Sequence, residues 1–149
     1  MALDLKNDVF GAFVFYGLLL LLKMYTVAIL TGQMRLRKKA FANPEDSLRH
    51  GGLKYCRSDP DVDRCRRLHR NDMECVYPFL FIGVLYCMLE PTPSIAKVHF
   101  RLFFLARLLH TIAYLFGLKA PTRSLAYTVG QVSCLSMAIK ILVNVASYW

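Results

Sequence analysis

Apolar residues fall in four long runs along this chain: about Val9 to Leu30, broken by Lys23; Cys75 to Leu89; about Val98 to Leu118; and Leu125 to Val145. A hydrocarbon layer of roughly 30 Å is crossed by about 20 helical residues, so the runs predict four membrane helices. The second run is short on that count. Its helix must begin near Arg70 or earlier, which puts the charges of RRLHRNDMECVYPFLF (66–81) at or inside the membrane boundary. The first run makes a poor signal peptide and is expected to stay attached as a helix, because it exceeds the usual apolar core, follows Asp4 and Asp8, and precedes no clean small-x-small cleavage site.

The segments between the runs carry turn and cap signals. In TGQMRLRKKAFANPEDSLRHGG (31–52), Asn43 can cap a short helix, Pro44 suits its first position, Glu45 and Asp46 complement its dipole, and Gly51-Gly52 stops it. Ser58-Asp59-Pro60-Asp61 supplies a second turn and cap, after which Val62 onward enters the second long helix. Glu90-Pro91-Thr92-Pro93-Ser94 and Gly117 to Thr122 are compact links. Short links join antiparallel neighbours, so the expected fold is all-α: an integral membrane up-down four-helix bundle forming one domain over residues 1–149, with a cytoplasmic loop at about 37–61.

Composition sharpens this picture. Hydrophobic residues make up 56% of the 149, far more than a water-soluble domain of that length needs, and this disfavours a soluble helical bundle. The formal charge is +9, and 11 of the 19 Lys+Arg lie between Arg35 and Arg70: Arg35, Arg37, Lys38, Lys39, Arg49, Lys54, Arg57, Arg64, Arg66, Arg67 and Arg70. Lys119 and Arg123 border the third connection, whereas the second holds only Lys97. The positive-inside rule then turns the first and third connections to the cytoplasm and leaves both termini luminal. Acidic Glu45, Asp46, Asp59, Asp61 and Asp63 interleave with the basic loop, which argues against nucleic acid and for attraction to anionic membrane lipids. Five cysteines without a metal-ligand pattern read as free thiols.

The candidate chemistry lies at the cytoplasmic end. Arg67, Arg70, Asn71 and Glu74 recur at helical spacing, as do Arg107, His110 and Tyr114 on the third helix and Arg123, Tyr127 and Gln131 on the fourth, with Ser124 adjacent and Arg35 ending the first. Pro78 interrupts the hydrogen bonding of the second helix beside this stripe. Isolated arginines and lysines at helix ends commonly snorkel to headgroups, which suffices for Arg66, Lys38, Lys39 and Lys119; Lys23 is left open between pairing, lining a crevice and snorkelling. The gathered set differs, because burying unpaired ions in a membrane is costly and Glu74 cannot neutralise Arg35, Arg67, Arg70, Arg107 and Arg123. Surplus positive charge predicts an anionic guest, best a carboxylate that arginine grips bidentately. Glu74 and His110 amid so many cations make a poor metal site.

TGQMRLRKKAFANPEDSLRHGG, YCRSDPD (55–61), the stretch from His69 to Phe81 and APTRSLAYT (120–128) together resemble the membrane-associated proteins of eicosanoid and glutathione metabolism, over nearly the whole chain. The resemblance implies a homotrimer of the endoplasmic reticulum membrane and nuclear envelope that binds glutathione between subunits. It maps cofactor binding to Arg35, Arg70, Asn71, Glu74, His110, Tyr114, Arg123, Ser124 and Tyr127, with Arg67 and Arg107 supporting and Arg35 reaching across a subunit boundary. Catalysis falls to Arg123 and Ser124, with Asp46 organising Arg123. Gly32, Leu36, Arg49, His50, Pro121, Thr128 and Gln131 border the substrate groove. The implied reaction is isomerisation of prostaglandin H to prostaglandin E through thiolate attack on the endoperoxide, functionally coupled to a cyclooxygenase. Other branches conjugate glutathione to an epoxide or present lipid without catalysis; Asp46, Arg123 and Ser124 in their local contexts favour the isomerase.

Overall fold

The computed structural model describes residues 3–149; Met1 and Ala2, counted in the expected single domain, lie outside the described residues. Asn7 opens the first helix, its Oδ1 accepting from the amides of Val9 (2.9 Å) and Phe10 (3.2 Å). Asp8 adds the negative charge that a helix N-terminus favours. This helix, α1 (Asp8–Lys38), runs for 31 residues and ends at Lys39 in the left-handed region, with Arg35, Arg37 and Lys38 complementing the C-terminal dipole.

The connection that follows is held in place. A short helix, α2 (Pro44–Arg49), begins with Pro44 at its first position and is followed by Gly51 (φ 116°) and Gly52 (φ 113°), which take backbone angles that side chains resist. Asn43 stands at the cap position but makes no capping bond, contrary to expectation: its Nδ2 donates instead to Asp46 Oδ2 at 3.3 Å. Phe41 donates its amide to Tyr55 O at 2.9 Å, and its ring stacks on His50 with centroids 4.6 Å apart. Arg57 Nη2 reaches back to the carbonyl of Lys38 at 2.8 Å.

Asp59 then caps α3 (Pro60–Met88), its Oδ1 accepting from the Asp61 amide at 2.9 Å. The helix thus begins ten residues before Arg70 and continues through Pro78, which leaves the Glu74 carbonyl without its helical donor. Two further helices, α4 (Pro93–Leu115) and α5 (Thr122–Val145), complete the bundle. Lys97 pairs with Asp8 at 3.0 Å, joining the starts of α4 and α1, and Lys38 pairs with Asp61 at 2.6 Å, joining the end of α1 to the start of α3. These contacts match the up-down order. In cross-section α1 packs on α3 and α4, and α5 packs on the same two; α3 and α4 touch across the short diagonal, while α1 and α5 do not meet.

Aromatic rings fill the centre. Phe79 stacks on Phe103 at 4.0 Å, and Phe13 meets Phe100 edge-on at 5.6 Å. Large apolar residues cover the outside as well, among them Phe15, Leu22, Ile29, Phe81, Leu105, Val132 and Leu142, an arrangement suited to lipid or neighbouring helices. Three helices are long and apolar enough to cross a membrane: α1, α4 and α5 with the short turn after it. The expected fourth crossing, α3, is long enough at 29 residues but is not among the helices apolar enough to cross a membrane by composition. It packs against the other three long helices and turns Asp72 inward, while Arg67, Arg70 and Glu74 stay on its exposed face. The chain is a multi-pass, all-α membrane bundle.

Gly83 sets the approach of α3 to α1. A Cβ there would lie 2.3 Å from Cε2 of Phe13, whose ring is buried. Gly83→Ala is expected to lower the unfolding temperature in detergent, because overpacking costs about 1–3 kcal/mol and the gain in helix propensity only about 1 kcal/mol. Adding Phe13→Leu should restore much of the loss in a thermal melt.

Candidate functional site

Residues at helical spacing build a cavity of about 320 Å³ between α3, α4 and α5, at the end of the bundle where α4 finishes and α5 begins. Arg123 and Ser124 occupy the first turn of α5, and Tyr127 and Thr128 follow four residues later on the same face. On α4, His110 and Tyr114 repeat the interval, and α3 contributes Asn71. The Arg123 guanidinium lies 4.8 Å from the centre of the Tyr114 ring, a cation–π contact that orients the charge. Ring centroids of His110 stand 5.5 Å from Tyr114 and 6.4 Å from Tyr127. No side chain caps the start of α5, so its first-turn amides add to the positive field of Arg123. Hydroxyl, amide and guanidinium donors around one cavity can hold a small acidic molecule and stabilise an anionic sulfur or oxygen.

A buried ionic cluster lies behind this wall. Arg107, 1% exposed, donates through Nη2 to Asp72 Oδ1 at 2.6 Å and to Asn71 Oδ1 at 2.9 Å. The same Asp72 oxygen takes Lys23 Nζ from α1. Lys23 is therefore paired inside the protein, which decides among the three roles that the sequence leaves open. Asp72 is the residue that sequence reasoning missed: helical spacing puts Glu74 on the charged stripe as its one acid, yet Asp72 is the fully buried one. The signal was Lys23 itself, since a cation in the middle of an apolar helix requires an acid at its own depth.

The remaining expected residues face elsewhere. Arg35 and Arg70, with Gly32 and His69, line a separate cavity of about 360 Å³ between α1 and α3. Adjacent helical residues point about 100° apart, so Asn71 and Arg70 serve different sides of α3. Gly32, Arg35, Leu36, Asp46 and His50 line a third cavity of about 380 Å³ under the loop. Asp46 and Arg123 thus border different cavities within one chain. Arg67, Glu74, Arg49 and Pro121 are exposed, while Gln131 donates to Cys75 Sγ at 3.3 Å. The polar residues share one end of the bundle, as their spacing predicts, but a single chain divides them between two sides.

Comparison with known proteins identifies the family. The MAPEG family model matches residues 13–143. The chain is 64% identical to prostaglandin E synthase of Canis lupus familiaris over 137 residues, covering 92% of this chain and 90% of that protein. It is 56% identical to the human prostaglandin E synthase over 147 residues, 99% of this chain and 97% of that one. Human microsomal glutathione S-transferase 1 is 46% identical over 142 residues, 93% of this chain and 92% of the relative. With the matched model spanning all four long helices and the loop between the first two, the chain belongs to the MAPEG family.

Proposed function

We propose that the protein isomerises prostaglandin H to prostaglandin E with glutathione as cofactor. The observation that carries this reading is the cavity formed by Asn71, His110, Tyr114, Arg123, Ser124, Tyr127 and Thr128 in a chain so similar to the prostaglandin E synthases named above. The residues fit glutathione: the volume lies within the ~300–1,000 Å³ of small-molecule sites, the donor set suits carboxylates and peptide carbonyls, and His110 Nδ1 is buried without a partner among the described residues. When bound, glutathione supplies the thiol sulfur that opens the endoperoxide and is returned unconsumed.

The protein's own groups do the rest. Arg123 favours the ionised sulfur through its charge and stabilises the oxygen on which charge develops, held in position by the Tyr114 ring. The Ser124 hydroxyl, one residue along the same first turn, donates to the sulfur. Asn71, His110 and Tyr127 position the peptide, and Glu74 and Arg67 border it. Thr128, Pro121 and Gln131 on the α5 side, with Gly32, Leu36, Arg49 and His50 on the α1 side, flank an apolar route for the lipid chain.

Arg35, Arg70 and Asp46 join this site in a homotrimer, where the α1 side of one copy faces the α4–α5 side of the next. Two features support that arrangement. Arg35 and Arg123 line cavities on different sides of one chain, so a ligand touching both needs two copies. Arg70 and Glu74 are also exposed on α3 two residues from Asp72, at a depth where charge needs a partner. The basic connection faces the cytoplasm, the termini are luminal, and the protein resides in the endoplasmic reticulum membrane and nuclear envelope, where a cyclooxygenase supplies its substrate.

Purified protein with glutathione in detergent is expected to convert prostaglandin H to prostaglandin E with no net loss of thiol, measured by mass spectrometry with a thiol balance. A stoichiometric glutathione–lipid adduct would instead favour the conjugating reaction named for the 46% identical transferase. Arg123→Ala should lower kcat by roughly 10²-fold, the usual effect of deleting a charge-stabilising donor, without altering assembly on size exclusion. Co-expressing Arg35→Ala with Arg123→Ala should recover activity that neither variant shows alone, because mixed trimers rebuild an intact site at one boundary; activity no higher than that of the separate variants would place both arginines on one subunit's site.

A further inference from the structure

The Lys23–Asp72–Arg107 cluster lies outside the cavity, with only Arg107 expected in a supporting role and none for Lys23 or Asp72, yet it ends on a cavity residue. Its geometry is specific. Asp72 Oδ1 receives Lys23 from α1 and Arg107 Nη2 from α4, so one fully buried carboxylate ties three helices together. The same Nη2 donates at 2.9 Å to Asn71 Oδ1, and Asn71 forms part of the cavity wall. Guanidinium carries only donors, so it must face the carbonyl end of the Asn71 amide. Cys75 Sγ, 4.0 Å from the same oxygen, also lies on that side.

We infer that Asp72 is a positioning residue: by holding Arg107 against Asn71 Oδ1, the buried cluster fixes the rotation of the Asn71 amide and leaves its NH₂ group free to donate to an acceptor in the cavity. The acceptor is a carboxylate or peptide carbonyl of the bound tripeptide, so this inference rests on the glutathione reading above. Asp72 contributes by restraining Arg107 and does not touch the ligand. Lys23 steadies the carboxylate from the opposite side, which gives the cation in the middle of α1 a function at a site on the other face of α3.

A double-mutant cycle on glutathione affinity tests this, read by titration calorimetry on the assembled protein in detergent. Asp72→Asn is expected to weaken glutathione binding about tenfold, the equivalent of roughly one hydrogen bond, while kcat at saturating glutathione stays within about threefold. In an Asn71→Ala background the same change should alter affinity less than about twofold, because the group it positions is gone. An undiminished tenfold loss in that background, or unchanged affinity in Asp72→Asn alone, overturns the inference. Should Asp72→Asn fail to assemble, Lys23→Met removes one cation and leaves the Asp72–Arg107 pair balanced. It is expected to weaken binding by about threefold, again only when Asn71 is present, and the opposite result overturns the inference equally. Wild-type protein that fails to bind glutathione overturns the functional reading together with this one. Wild-type protein that binds and isomerises while the cycle is additive overturns this one alone.

Discussion

A charge placed among hydrocarbon chains must be answered by the protein, and here a single carboxylate answers for two cations. Asp72 shares one oxygen between Lys23 and Arg107, and the three side chains come from α1, α3 and α4. The cluster retains one net positive charge. Removing the acid would leave two like charges facing each other, a far larger penalty than breaking an exposed ion pair. The arrangement therefore constrains how the three helices can sit: their axial register must bring residues 23, 72 and 107 to one level, and the polar residues lining the cavity take their depth from that level.

Because α3 touches all three other long helices, its two sides carry different tasks. One holds Asn71 toward the cavity of α4 and α5, and the other holds Arg70 and His69 toward α1. A single helix can do both because consecutive residues diverge by about 100°, so the sequence HRND places residues of two different cavities and a core-facing carboxylate within one turn. The apolar rings deeper in the bundle, Phe79 on Phe103 and Phe13 against Gly83, keep α3 close enough to its neighbours for these short polar contacts to form.

Much of this was legible in the sequence, for identifiable reasons. Long apolar runs locate α1, α4 and α5 because a bilayer demands length, and Asp59-Pro60 marks the start of α3 because cap chemistry is local. The i, i+4 pairs His110–Tyr114 and Arg123–Tyr127 come together because each lies on one helix face. What stayed hidden depends on relations between helices. Asp72 sits between two ligand-type residues, and nothing in its own neighbourhood says that it turns inward to Lys23, forty-nine positions earlier. The division of Arg35 and Asp46 from Arg123 likewise follows from which helices are neighbours. Asn43 stands at the cap position without a capping bond, its side chain donating to Asp46 instead.

The separation of α1 from α5 has a consequence for how copies of the chain can meet. These helices occupy opposite corners of the bundle and never touch, so each presents its outer flank to the surroundings, one bordered by Arg35 and the other by Arg123. The flanks are unlike, and a contact joining one to the other is head-to-tail. Such contacts close into a ring only when the angle between the two flanks divides a full turn evenly. In this fold, copy number is a matter of bundle cross-section, set by the same helix packing that shapes the cavity.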